Sequence, residues 1–320
     1  MPSALIMAGT FSLVLTLTLT PPLITYLRRL KYGQTIRSQG PARHQVKAGT
    51  PTMGGVVLVL AVLITTLLFS DRSPEVLFAL GIMVGYGLIG LEDDWKKAVK
   101  RSSLGLRARE KLAAQAILAG LLVTWVYFNP ALGGSVWVPT LGKVALGWWY
   151  IPLVTFLVVV GTANAVNLTD GLDGLAAGTA TIAFLAYTII ALGQSTELAV
   201  FTVAFVGACL GFLWFNSYPA RIFMGDTGSL ALGAGLGAVA VLTKTEILLA
   251  IIGGVFVLET ISVILQVVYY RLTGGRIFRM SPLHHHFELS GWPEQVVVRR
   301  FWFTGTALAV AGLALWYLGA

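Results

Sequence analysis

The sequence predicts an all-α, polytopic integral membrane protein with about ten transmembrane helices. Hydrophobic residues make up 56% of its 320 positions and the mean hydropathy is +0.80, which leaves too little polar surface to cover a soluble domain. Apolar runs of roughly 17 to 25 residues, long enough to cross a hydrocarbon core as helix, recur along the chain. The basic residues fall almost entirely in alternate connections, as multi-pass proteins require.

The first span, 4–27, has no basic residue ahead of it and no small-residue cleavage site, and runs straight into Arg28, Arg29 and Lys31. It reads as an uncleaved anchor rather than a signal peptide. Spans at 54–70 and 75–92 follow, the second ending in Asp93 and Asp94. A span at 112–128 closes on Trp125, Tyr127 and Phe128, an interfacial aromatic cluster. After it, Gly133–Gly134 and the alternation from Val136 to Val138 predict a small hairpin within 129–147. The span at 148–168 opens on Trp148, Trp149 and Tyr150 and ends in polar residues. Spans at 175–192 and 198–216 come next; Cys209, the single cysteine, has no intrachain partner and reads as a packing residue. The span at 228–244 carries Gly233, Gly235 and Gly237, which permit close helix approach; no strand precedes them, so a dinucleotide-binding reading fails. The span at 246–271 contains Gly253–Gly254 and one acid, Glu259, which is expected to face other helices, hydrogen-bonded or protonated. The last span is 301–319. No soluble domain, low-complexity linker or long internal repeat appears, so 1–320 is expected to be a single membrane domain.

Nineteen of the 22 basic residues lie in the connections around 28–53, 93–111, 217–227 and 271–300; only Arg72, Lys143 and Lys244 fall in the other set. This asymmetry predicts that both termini face outward and that the basic loops face the cytoplasm. The net charge of +8 is then one-sided, drawing anionic headgroups and anionic soluble substrates to that face. It does not predict nucleic-acid binding, because the basic residues flank helix ends and no polar domain presents them.

The acids are the stronger signal. Only 14 residues are Asp or Glu, yet Asp93, Asp94, Asp170, Asp173 and Asp226 all sit at the ends of apolar segments on the predicted cytoplasmic side. Such a gathering points to a held cation or a moving proton. In LEDDWKK (91–97), adjacent acids on a helix point about 100° apart, so Asp93 and Asp94 share one ligand set fully only if the helix ends or bends. They suit a Mg²⁺ site or a base beside a phosphate; the plainer alternative is an Asp93–Lys97 ion pair. In NAVNLTDGLDG (164–174), Asn164 and Asn167, and again Asp170 and Asp173, are spaced to share a helical face, while Gly171 and Gly174 permit a break. That offers amide and carboxylate partners to a nucleotide or sugar, or else caps an ordinary turn. In FNSYPARIFMGDTGS (215–229), Asp226 is either a ligand or an N-cap, and Phe223 could stack on a base. The run His284, His285, His286 lies in a long cytoplasmic connection. Its side chains diverge and no cysteine completes a zinc set, so donation to a pyrophosphate is the better reading.

Together PTMGG (51–55), LEDDWKK, NAVNLTDGLDG, FMGDTGSLALG (223–233) and PLHHHFE (282–288) resemble, in order, the phospho-N-acetylmuramoyl-pentapeptide transferases, within the polyprenyl-phosphate N-acetylhexosamine 1-phosphate transferase superfamily. PTMGG and the histidine run favour the muramoyl branch over N-acetylglucosamine relatives.

The resemblance implies transfer of phospho-N-acetylmuramoyl-pentapeptide from UDP to undecaprenyl phosphate, giving lipid I and UMP, with Mg²⁺ as cofactor. It implies a bacterial inner-membrane enzyme working at the cytoplasmic face within the lipid bilayer, as a homodimer. By this resemblance Asp226 is the Mg²⁺ ligand, and Asp93 and Asp94 lie beside the lipid phosphate. Lys111, Lys47 and His285 offset charge. Thr52, Asn164, Asn167, Asp170, Gly171, Leu172, Asp173, Asn216, Phe223, His284 and His286 join Lys47 and His285 in contacting substrates. Two rival expectations stand beside it. One is a UDP-N-acetylglucosamine donor. The other is a proton-coupled transporter built around Glu259, which predicts ionisable groups near the membrane midplane and repeat symmetry.

Overall fold

The computed structural model of the protein describes residues 2–30, 49–100 and 105–319. Among these, nine helices are long and apolar enough to cross a membrane, and a further apolar helix, Gly55–Phe69, is shorter. The molecule is an all-α polytopic membrane protein.

In chain order the elements are α1 (Pro2–Arg29), α2 (Gly55–Phe69), α3 (Pro74–Lys100), α4 (Ala108–Phe128), β1 (Ser135–Val138), β2 (Gly142–Ala145), α5 (Tyr150–Leu153), α6 (Gly161–Thr169), α7 (Leu175–Leu192), α8 (Thr196–Asn216), α9 (Gly225–Leu242), α10 (Glu246–Ile252), α11 (Gly254–Thr273), α12 (Leu283–Leu289) and α13 (Glu294–Gly319). Two expected spans are composite. The one at 148–168 joins α5 to α6 through a π-helical stretch, Val154–Val160, and the one at 246–271 breaks at Gly253 between α10 and α11. The hairpin forms as expected, with Ser135 opposite Ala145 and Val138 opposite Gly142.

Helix α9 is the axis of the bundle, and its composition explains why. Built mostly from Gly, Ala and Leu, it is buried at every residue from Thr227 to Leu242. In a bilayer, where apolar burial gains little over lipid, helices associate by close van der Waals approach, which small residues allow. Gly233 lies on the backbone of Ala163 in α6, Gly235 on the Phe205 ring of α8, and Gly237 on the backbone of Val159 in the π stretch. Helices α11 and α13, by contrast, bury few residues and present broad apolar faces outward.

At the end of α9 remote from Asp226, about 27 Å away at 1.5 Å per residue, a second polar cluster ties the hairpin to the bundle. Lys244 Nζ donates to Tyr150 Oη (2.7 Å) and to the Gly133 carbonyl (3.1 Å) and pairs with Glu246 Oε1 at 3.2 Å, while Tyr150 Oη donates to Glu246 Oε1 at 2.7 Å. Sequence reasoning had entered Lys244 only in the charge count.

Candidate active site

The start of α9 is held from outside. Phe223 N–H donates to the Pro51 carbonyl (2.8 Å), Gly54 N–H to the Phe223 carbonyl (2.8 Å) and Gly55 N–H to the Met224 carbonyl (2.9 Å). PTMGG is therefore a backbone clamp on the residues leading to Asp226. Its glycines are required: a β-carbon on Gly55 would run into the backbone of Gly228, and one on Gly54 into the Phe212 ring and the Phe223 carbonyl. Gly225 takes the left-handed region (φ +72°) that side chains avoid, and Thr52 Oγ1 and Asp94 crowd the place its side chain would occupy.

Helix α3 neither ends nor bends at its acids; it runs on to Lys100. Asp93 and Asp94 diverge as helical neighbours must, and Asp226 comes in from α9 so that one oxygen from each lies within 4.8 Å of the others. The two neighbours have different partners. Asp94 accepts from the Asp226 N–H (3.1 Å), the Thr227 N–H (3.0 Å) and the Thr227 hydroxyl (2.7 Å), so it caps α9 across the bundle. Gly90, one turn earlier, lies against the Asp226 backbone where no side chain fits. Asp93 accepts from the Leu106 N–H at 2.7 Å and pairs with Lys97 at 2.6 Å. The i,i+4 ion pair therefore forms, but Lys97 also reaches Asp226 (3.2 Å), which Lys111 approaches at 2.5 Å. Asn167 Nδ2 completes the set, donating to Asp226 Oδ1 (3.1 Å) and Ser229 Oγ (2.8 Å). Three converging carboxylates beside an amide form an oxygen-rich donor set that suits a hard divalent cation.

The polar stretch after α6 is a turn, not a shared helical face. Helix α6 stops at Thr169 and α7 starts at Leu175, with Gly174 left-handed at φ +78°. Asp173 accepts from the Ala220 N–H (2.9 Å), and its own N–H is bound by Glu294 (2.8 Å). Asn216 accepts from the Gly174 N–H (3.1 Å) and donates to the Ile222 carbonyl (2.9 Å). These two brace the turn against the loop that leads to Asp226. Leu172 packs with Leu175, Val297 and Val298. Asn164, one turn deeper than Asn167, donates instead to Gln115 Oε1 at 2.7 Å. Asp170 stays with the acids: loss of hydration, then the charges of Asp226, Asp94 and Asp173, push its carboxyl up to about 7.

The histidine run forms the short helix α12. His284 is buried with Nε2 against Gly171, where any β-carbon would strike the ring. His285 Nδ1 is 2.8 Å from Glu288 Oε2, and His286 Nδ1 accepts from the Arg279 N–H at 3.1 Å. The three rings face three directions. Phe223 is half-buried, three residues ahead of Asp226. Lys47 and His44 lie outside the described residues.

Sequence reasoning passed over Lys97 as a partner of Asp226, and also Ser229, Gln115 and Glu294. Only Lys97, four residues beyond Asp93, carried a signal.

Comparison with known proteins bears on the same segments. A model described as Glycosyl transferase family 4 matches residues 76–244, from α3 through α9. A second, the Phospho-N-acetylmuramoyl-pentapeptide-transferase signature 1, matches residues 47–59, which contain the clamp. The phospho-N-acetylmuramoyl-pentapeptide-transferase of Bacillus subtilis is 53% identical over 307 residues, covering 94% of each chain. Its namesake in Moorella thermoacetica is 54% identical over 305 residues (94% of this chain, 95% of the relative). That of Desulforudis audaxviator is 53% identical over 325 residues, 97% of each. The chain belongs to the phospho-N-acetylmuramoyl-pentapeptide-transferase family. Membership makes it a transferase of peptidoglycan biosynthesis set in a membrane. The Glycosyl transferase family 4 match takes in all five aspartates but stops before the histidine helix.

Proposed function

We propose that the protein transfers phospho-N-acetylmuramoyl-pentapeptide from its UDP-linked donor to undecaprenyl phosphate, giving lipid I and UMP, at the cytoplasmic face of the bacterial inner membrane. One observation carries this reading. Three carboxylates, two lysines and an amide converge where α4 and α9 begin and α6 ends, against the last two turns of α3 and beside a turn and a histidine helix. A lipid phosphate and a cytosolic sugar nucleotide can meet only at such a surface. The clustered ionisable groups lie at the two ends of α9, and Glu259 meets a histidine of the short helix α12 rather than a chain of ionisable groups across the span, which argues against the transporter reading.

In this mechanism an oxygen of the lipid phosphate attacks the sugar-linked phosphorus directly, and the bond to UMP breaks. A phosphate monoester has a second pKa of about 6, so the nucleophile is already largely dianionic and needs charge compensation more than deprotonation. Mg²⁺ bound by Asp226, with Asp93 and Asp94 around it, would supply most of that compensation. Lys111 and Lys97 are placed to add to it, with Lys47 and His285 as further donors. Asn167, Asp170, Gly171 and Phe223 receive the nucleotide, with uracil against Phe223. Asp173 and Asn216 shape the turn and Leu172 anchors it, while Asn164 ties α6 to α4 through Gln115. His284 and His286 hold the histidine helix at the donor. Both termini facing outward, a single domain over 1–320 and a homodimer belong to the same proposal.

The test is UMP release by detergent-purified protein given undecaprenyl phosphate, Mg²⁺ and either UDP-N-acetylmuramoyl-pentapeptide or UDP-N-acetylglucosamine. Release with the muramoyl donor alone is expected; preference for the other donor would move the protein to a different envelope polymer. Phospho-sugar bound to the enzyme without acceptor would replace direct attack with a covalent route. In the same assay Phe223→Ala is expected to raise the KM for the nucleotide about tenfold, the scale of one lost base–aromatic stack, and to leave that for the lipid unchanged. Equal effects on both would remove Phe223 from the uracil.

A further inference from the structure

Glu259 is a fully buried carboxyl group in the second turn of the membrane-spanning helix α11, and the mechanism above gives it no task. Its partner is His284, 25 residues on in sequence and 1% exposed. Glu259 Oε1 accepts from the His284 backbone N–H at 3.2 Å and lies 3.2 Å from His284 Nδ1. Among the described residues, neither Nδ1 nor Glu259 Oε2 makes a hydrogen bond, so the ring meets the carboxyl group by close approach alone.

Stability alone is a poor reason for this arrangement. Carboxylates inside membrane spans are costly, and buried ion pairs are often matched or bettered by apolar side chains of similar volume. What the contact does provide is a hydrogen bond to the main chain, with the ring kept beside the same oxygen. Helix α12 follows Pro282 and has no side-chain cap of its own, so the carboxylate fixes where it begins. Placing Nδ1 toward Glu259 also decides which nitrogen faces the other way, because the group bonded to one ring nitrogen sets the role of the other. That other nitrogen, Nε2, abuts Gly171 in the turn that carries Asp170 and Asp173.

We propose that Glu259 is a positioning residue: from within the membrane it orients His284 so that Nε2 is presented at the Asp170–Asp173 turn, where the donor's anionic pyrophosphate is received. This rests on the transferase reading and adds a residue to it. Glu259 touches neither substrate; it acts through the histidine helix.

The experiment measures kcat, the KM for each substrate and the Tm for wild type, Glu259→Gln and Glu259→Ala in one detergent. Glu259→Gln keeps an oxygen for the His284 N–H but loses the charge facing Nδ1. It is expected to fold with a wild-type Tm and to lose about tenfold in kcat, and Glu259→Ala about 100-fold, the range seen when groups orienting a functional histidine are removed. The KM for undecaprenyl phosphate stays unchanged. A wild-type kcat in Glu259→Gln overturns the assignment. So do equal losses in both variants that merely track the fraction of folded protein. If Glu259→Ala does not fold, Glu259→Gln decides alone. Wild-type protein that released no UMP in this assay would instead count against the transferase reading.

Discussion

Replacing Asp226 with Asn is expected to lower kcat by about 10³-fold or more, with the protein still folded. Asp226 is the point on which the site converges: Lys111 at 2.5 Å, Lys97 at 3.2 Å and Asn167 at 3.1 Å all meet its carboxylate, and one oxygen each of Asp93 and Asp94 lies within 4.8 Å of one of its own. Asn is isosteric, so the α9 backbone and its cap on Asp94 are untouched. The charge that meets two lysines, and in the proposed mechanism the cation, is lost. A bound metal supplies several kcal/mol of transition-state stabilisation, and at 1.36 kcal/mol per factor of ten the loss of about 4 kcal/mol gives the stated drop. The check is kcat measured across a Mg²⁺ titration, with Tm recorded on the same samples. A kcat within tenfold of wild type at every Mg²⁺ concentration, with an unshifted Mg²⁺ dependence, would remove Asp226 as the principal ligand. A variant rescued in full by high Mg²⁺ would confine its role to affinity.

Much of this was legible in the sequence because membranes impose strict rules. Span lengths located most helices to within a few positions, though α3 runs eight residues beyond its expected end and α13 begins seven before its expected start, and the hairpin was visible in Gly133–Gly134 and its alternating valines. The three acids that converge at the start of α9 were legible because acids are scarce in such a chain, so each one is informative. Their partners were not. That Asp94 caps a helix 132 residues away, that PTMGG clamps the approach to Asp226, and that Glu259 belongs to His284 are facts of tertiary contact with no local pattern. The breaks at Gly253 and within 154–160 were hidden for a related reason: hydropathy reports that a segment is apolar, not whether its helix is continuous.

Asp93 and Asp94 are neighbours of one residue type, and opposite phenotypes are expected from them. Asp94 uses both oxygens to receive three donors from the first residues of α9. In Asp94→Asn a single carbonyl oxygen must serve those donors, and an amide N–H is turned toward one of them. An unsatisfied buried donor costs about 1–3 kcal/mol. Asp94→Asn is therefore expected to lower Tm by several degrees, the scale of such a loss in a chain of this size, with kcat falling because Asp226 is carried on the loosened helix end. Asp93 meets one backbone N–H and the ammonium of Lys97, which Asp226 also holds, and an amide oxygen can still accept from Leu106. Asp93→Asn is expected to keep its Tm and lose about 10²–10³-fold in kcat, since it removes charge from the reacting face without disturbing its support. Measuring Tm and kcat for both variants separates the roles. If Asp94→Asn proves as stable as wild type while Asp93→Asn is destabilised, the assignments are reversed, and the capping geometry at Asp226 is not what holds the site together.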